Sequence, residues 1–142
     1  GVPSRDAELA VLRRHASGFD PRELGGIEAV VSADEIRAAR RAVASVTVSD
    51  DVLAYVVDLA RATRESPSVQ LGVSPRASTG LLAAAKAWAW LSGYSAITPG
   101  HVQTMVGPTW RHRVRLRTEA ELEGVSVDAV LGSVLQQTRV PL

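Results

Sequence analysis

The chain contains no cysteine. Disulfide scaffolds, thiolate metal sites and cysteine nucleophiles are excluded with it. Lysine is scarce too: of the 16 basic residues only Lys86 is not an arginine. A phosphate-cradling G-x-x-x-x-G-K-[ST] loop needs a lysine directly after a glycine. Lys86 follows Ala85 in an alanine-rich run, so this sequence holds no such loop. Long apolar runs are missing as well. The longest, Leu81 to Leu91, includes Lys86 and is too short to span a bilayer. No basic segment followed by an apolar one opens the sequence, so it lacks the secretory-signal pattern. The absence of cysteine is compatible with a cytoplasmic location, which is the expectation here. Gly1-Val2-Pro3 opens without methionine, and the expectation is a fragment of something longer or a processed product.

What remains is one domain's worth of chain. Its 142 residues, 46% hydrophobic, are enough to bury a core without staples. The start signals of helices are explicit. Ser32-Ala33-Asp34-Glu35 has the form of a capping box, flanked by Val31 and Ile36 as a hydrophobic staple. Ser49 between Val48 and Leu53, Thr98-Pro99 between Ile97 and Val102, and Ser126 between Val125 and Val130 repeat the device. Thr118 with Glu121 predicts a box for a short turn that Gly124 ends. Apolar spacing agrees. Leu9, Leu12 and Ala16 mark a helix over about 4–17. Val52, Leu53, Val56, Val57 and Ala60 predict one core face over 50–63. Val127, Val130, Leu131, Val134 and Leu135 predict another near the end. Residues 75–92 are apolar on nearly every side (Leu81, Leu82, Ala85, Trp88, Ala89), as a central helix would be. Pro108 is expected to break the helix begun at Thr98, with a short one restarting after it. Loops are expected at 18–31 and 64–74, with short extended pieces at Val46–Val48 and Val69–Leu71. The expectation is an all-α bundle of about six helices, forming a single domain over 1–142.

The most informative spot is Gly72-Val73-Ser74-Pro75-Arg76-Ala77. Ser74 reads as an N-cap and Pro75 as the first helical residue. Arg76 then lies in the first turn, where the helix dipole is positive and a cation is disfavoured. Free backbone N–H groups at a helix start, with an arginine, are what a phosphate site needs. The alternatives are that Arg76 pairs with a carboxylate from a neighbouring loop, or points into water.

Several strings together resemble the C-terminal lid domain of the MoxR family of AAA+ ATPases. They are Ala62-Thr63-Arg64 followed by Leu71 to Ala77, Gly1-Val2-Pro3-Ser4 leading to Arg14-His15, Ile97-Thr98-Pro99, His112-Arg113 and Val140-Pro141. Their order and spacing match over essentially the whole chain. The resemblance implies that Arg76 is a sensor-2 arginine reaching the γ-phosphate of ATP, with Pro75 and Ala77 beside it at the nucleotide. It implies that ATP and Mg²⁺ are held mainly by an upstream α/β domain that is not in this sequence. The fragment alone would then be no enzyme, while the parent hydrolyses ATP in chaperone-like maturation or assembly of other proteins. It also implies neighbouring subunits in a ring, expected to be a hexamer, and a partner carrying a von Willebrand factor A domain. The family usually shows an acidic pair after the Thr-Pro start, where this chain has Gly100-His101.

A second candidate is Arg111-His112-Arg113-Val114-Arg115-Leu116-Arg117. As a strand it puts every arginine on one face, a plausible nucleic-acid stripe. As a helix it spreads them toward Glu119, Glu121 and Glu123. The resemblance supports the helix, because the matching His-Arg pair ends one. A DNA-binding or protein-interaction module using these arginines is the alternative function, and a net charge of +1 argues against DNA. His15, His101 and His112 lack ligand spacing, so no metal site is expected. Trp88 and Trp90 point to different helix faces. One is expected in the core and the other exposed.

Overall fold

Each predicted cap that proves real is a short-range event, and five of them define the architecture. In the computed structural model, described over residues 2–20 and 28–141, seven α-helices form among the described residues. They are α1 (Arg5–Ala16), α2 (Ala33–Ser45), α3 (Asp50–Glu65), α4 (Pro75–Leu91), α5 (Pro99–Trp110), α6 (Thr118–Leu122) and α7 (Val127–Gln137). A 3-10 turn, Arg111–Arg113, follows α5 directly. Two short strands, β1 (Val69–Leu71) and β2 (Arg115–Leu116), pair antiparallel, with Val69 opposite Leu116. A parallel bridge joins Thr47 to Ala96. The chain divides into two compact units, Gly1–Glu35 and Ile36–Leu142. Most of the loop expected at 18–31, with Pro21, Gly25 and Gly26, lies outside the described residues.

The first unit holds α1, capped by the Ser4 hydroxyl, which accepts the Ala7 N–H at 3.3 Å. Its periodic residues do not form a core face: nothing in α1 is buried, and Leu12 is 65% exposed. The same unit contains the capping box at the start of α2. The Glu35 carboxylate accepts the Ser32 N–H at 2.6 Å, and the Ser32 hydroxyl accepts the Glu35 N–H at 3.2 Å. The Ser32 backbone N–H first, and its hydroxyl second, hold the Glu35 carboxyl below its ordinary value. A lowered carboxyl pKa stabilises the folded form above the unfolded pKa and loses that contribution as pH falls through the folded one. The first turn of α2 is therefore expected to fray on acidification below the usual carboxylate range. Amide protection of Ser32 and Glu35 measures it, and Glu35→Gln should remove the pH dependence. Protection that is indifferent to pH in the unsubstituted chain would contradict the box.

The second unit has a continuous core. Tyr55 and Leu59 from α3, Leu81 from α4, and Val102, Val106 and Trp110 from α5 are its largest fully buried apolar side chains outside the loops. The buried face of α3 is Val52, Tyr55, Val56, Leu59, Ala60 and Thr63. It is rotated from the expected one: Leu53 is 38% and Val57 51% exposed, because Tyr55, Leu59 and Thr63 complete the three- and four-residue spacing instead. Helix α4 buries a stripe of small residues, Ala77, Ala85 and Ala89 with Leu81, which lets α5 pack close against it. The tryptophan in the core is Trp110 at 0% exposure, while Trp88 (42%) and Trp90 (38%) both reach the surface.

Three further expectations change. Helix α5 runs through Pro108. The proline removes the bond its N–H would make to the Thr104 carbonyl, and Gly107 before it has no Cβ to meet the ring. The restart is the 3-10 turn. The Thr118–Glu121 box does not form: Arg117 is the N-cap and makes no side-chain cap. Its N–H instead extends the strand pairing to the Ser68 carbonyl at 2.9 Å, which starts α6 one residue earlier. His112 and Arg113 end a helical turn, as expected, but residues 114–117 are not helical. Val114 and Leu116 are buried while Arg113, Arg115 and Arg117 are exposed, which is strand alternation.

Candidate functional site

The first turn of α4 carries the most informative residues. Ser74 has extended backbone (φ −79°, ψ 160°), and its hydroxyl accepts the Ala77 N–H at 3.3 Å. Pro75 and Arg76 follow as the first helical residues, both exposed, while Ala77 is buried at 2%. Among the described residues no carboxylate pairs with the Arg76 guanidinium, so the neighbouring-loop partner is not there.

The backbone of this turn offers less than a bare helix start. Pro75 has no N–H. The Ala77 N–H is taken by Ser74, through its carbonyl at 2.9 Å and its hydroxyl at 3.3 Å. The Ser78 N–H goes to the Ser74 carbonyl at 3.1 Å. Only the N–H of Arg76 itself has no partner among the described residues. An anion arriving here meets a guanidinium fork and one amide. Pro75 and Ala77 shape the turn but leave no N–H free for an anion.

The position of Arg76 is set by the segment before it. Thr63, fully buried near the end of α3, donates its hydroxyl to the Ala60 carbonyl at 2.7 Å and accepts the Val73 N–H at 3.0 Å. Next to it, Arg64 Nη1 donates to the Val73 carbonyl at 2.8 Å. Both backbone groups of Val73 are thus held by consecutive residues of α3. Gly72 makes the approach possible: a Cβ there would stand 2.7 Å from Arg64 Cγ and 2.8 Å from its Cα and N. This geometry gives a physical reason for Thr63-Arg64 and Gly72-Val73 to occur together. A methyl group at Gly72 meets backbone that cannot swing aside. Gly72→Ala is expected to destabilise by about 1–3 kcal/mol, as overpacking does. Urea unfolding measures this, and an unchanged midpoint would show the segment rides free of α3.

A second tie comes from the other side. The Trp110 indole N–H donates to the Ala77 carbonyl at 3.1 Å, joining the end of α5 to the first turn of α4. The turn after it holds His112 and Arg113, which with Ala77 and Gly80 line a cleft of about 200 Å³. Arg111 is paired with Asp128 at 2.6 Å and not with Glu119, Glu121 or Glu123. That pair is exposed and contributes little stability.

Two features escaped the sequence reading. His101 completes a capping box: its Nδ1 accepts the Thr98 N–H at 3.0 Å, the place a carboxylate usually fills. A ring nitrogen is seldom sought there, although its i+3 spacing from Thr98 was visible. The other is charge segregation. Residues 66–118 contain six basic residues and no carboxylate, and residues 36–49 contain three arginines and none. The net charge of +1 hides this, because averaging over the chain mixes these segments with the acidic ones.

Residues 61–134 match the family model described as an AAA lid domain. That span includes Thr63, Arg64, Gly72, Ser74 to Ala77 and Trp110. The whole chain is 34% identical to the uncharacterised protein YeaC of Bacillus subtilis and spans 43% of it. It is 28% identical to the Mycobacterium tuberculosis protein named chaperone MoxR1, over 99% of this chain and 38% of that one. The crystal structure of a "putative ATPase" from Cytophaga hutchinsonii matches the full chain with a TM-score of 0.76 at 23% identity, a likeness of fold. This chain makes up 45% of it. The chain therefore spans less than half the length of these relatives.

Proposed function

Because the chain belongs to the AAA lid domain family, we propose that it is the lid of a longer MoxR-like ATPase, closing over ATP held by an α/β domain. Arg76 contacts the γ-phosphate. The observation that carries this reading is an exposed guanidinium without a carboxylate partner, in the first turn of a helix clamped from both sides. A cation there opposes the helix dipole, so folding alone gives no reason for it. An anion supplies one. With a single free amide nearby, the contact is mainly the charge-assisted fork, well suited to phosphate oxygens.

The role is electrostatic. Phosphoryl transfer spreads negative charge over the leaving oxygens, and a fixed cation stabilises it without moving a proton. Residues 66–118 bring no carboxylate for Mg²⁺ beside Arg76, and in this reading the α/β domain holds the metal. Hydrolysis then changes how the lid rests on that domain and on neighbouring subunits, a rigid-body switch. Work on other proteins, as in a chaperone of the MoxR kind, would draw on that movement.

The test compares two proteins. The longer ATPase should release phosphate from ATP with Mg²⁺, and residues 1–142 alone should release none. Mg²⁺-dependent release by the pure 142-residue chain would sink the assignment of a lid.

A further inference from the structure

The cleft between the start of α4 and the end of α5 has no part in the Arg76 contact, and its floor is a glycine. Gly80 lies inside α4, where glycine is the weakest helix former apart from proline. Packing gives no reason for it: beyond its own helix backbone, nothing stands within 4 Å of a Cβ placed there. A helix position left bare at a cost in stability, with nothing of its own chain to avoid, leaves room for something that arrives from outside. Gly80 is exposed, and the cleft above it holds about 200 Å³.

The walls are set before anything enters. Pro108 and Thr109 form one side, and the Thr109 hydroxyl donates to the Met105 carbonyl at 2.6 Å. The Trp110 indole bond to the Ala77 carbonyl holds α5 against α4. The 3-10 turn, whose Arg111 is drawn to Asp128, then puts His112 and Arg113 in the lining. Among the described residues neither pairs with a carboxylate, and residues 66–118 contain none. A ligand therefore meets a guanidinium fork and an imidazole on a scaffold that needs little ordering, which lowers the cost of binding.

The two lining donors select an oxyanion, and their number selects phosphate. A carboxylate has two oxygens, which the guanidinium fork satisfies alone. A phosphate offers a third oxygen, and His112 is there to meet it. Position agrees. Arg76 stands four residues before Gly80 on the same helix stripe, about 6 Å along the axis, within the length of a triphosphate chain. We propose that Arg113 and His112 hold a phosphate of the nucleotide that is not transferred, against the bare backbone at Gly80, while Arg76 meets the γ-phosphate. This rests on the nucleotide reading above and adds a second contact to it. Such a phosphate carries the same charge in the ground state and the transition state. Arg113 therefore sets affinity for ATP and leaves the rate of transfer to Arg76.

The test titrates the isotope-labelled 142-residue chain with inorganic pyrophosphate, followed by NMR, with citrate at the same ionic strength as the comparison. The amides of Gly80, His112 and Arg113 should shift and saturate, and citrate should bind at least about tenfold more weakly. Arg113→Gln, and Gly80→Leu, which fills the floor, should each weaken pyrophosphate about tenfold or more. The leucine variant should also melt higher, because leucine is the better helix former and meets open space. Arg76→Ala should leave pyrophosphate binding in place, so a failed titration counts against the cleft and not against the γ-phosphate contact. In the longer ATPase, Arg113→Gln should raise KM for ATP about tenfold and change kcat less than about threefold, whereas Arg76→Ala acts mainly on kcat. Absent saturation, indifference to both cleft variants, or an unchanged KM overturns the proposal. Citrate binding as tight as pyrophosphate overturns it in favour of an acidic side chain from another domain.

Discussion

In the longer ATPase, Arg76→Ala is expected to lower turnover by on the order of 10²–10³, the usual worth of one preorganised charge contact in a transition state. The 142-residue chain carrying the same change should stay folded. The guanidinium is exposed and has no partner among the described residues, so its loss leaves no buried group unsatisfied. Alanine is the better helix former, and a cation in the first turn costs about 0.3–1 kcal/mol. The melting temperature should hold or rise slightly. ATP affinity should fall less than turnover, because the contact strengthens as charge moves onto the leaving oxygens. Arg76→Lys keeps the charge but loses the fork, so it should restore only part of the rate. Thermal unfolding and steady-state kinetics read the two halves separately. An unfolded Arg76→Ala chain would make the arginine structural. A folded chain with full turnover in the ATPase would remove it from the site.

The parts of this molecule that the sequence made legible are those decided within three or four residues. Ser32, Ser49, Ser74, Thr98 and Ser126 each cap the N–H three positions on, and each was visible as a polar residue before a periodic run. The failures are all matters of what comes from afar. Thr118 has the composition of a cap, but Ser68, distant in sequence, holds the Arg117 N–H and moves the helix start. Arg115 and Arg117 become part of a strand because β1 and Ser68 pair with that segment. Leu53 and Val57 have the right spacing for a core face, yet tertiary packing chose the neighbouring stripe with Tyr55 and Leu59. At the candidate site, Arg76 could be placed in its turn from Ser74 and Pro75 alone. The clamp could not, since Thr63 reaches Val73 ten residues away and no local pattern announces a buried hydroxyl.

Trp110 is the sharpest case of long-range context, and it carries the largest expected stability effect. Its helix position after Pro108 gives no sign of burial, and Trp88 and Trp90 lie in the more apolar run. It is 0% exposed, and its indole N–H reaches across to the Ala77 carbonyl at 3.1 Å. Trp110→Ala would open a large cavity between α4 and α5, costing about 3–5 kcal/mol. For a domain of this size the melting temperature should drop by on the order of 10–20 °C. Trp110→Phe separates packing from the hydrogen bond. It keeps most of the apolar volume and removes the donor, whose loss costs about 0.5–1.5 kcal/mol beside a smaller cavity term. Ala77 adjoins Arg76, so the phenylalanine variant tests whether this bond also aims the arginine. If it does, the ATPase carrying Trp110→Phe should lose several-fold in turnover while its lid remains folded at the assay temperature. Unchanged turnover would mean the clamp at Val73 suffices to place Arg76. An alanine variant that melts with the parent chain would show that the space around Trp110 collapses without cost, contrary to how a close-packed core behaves.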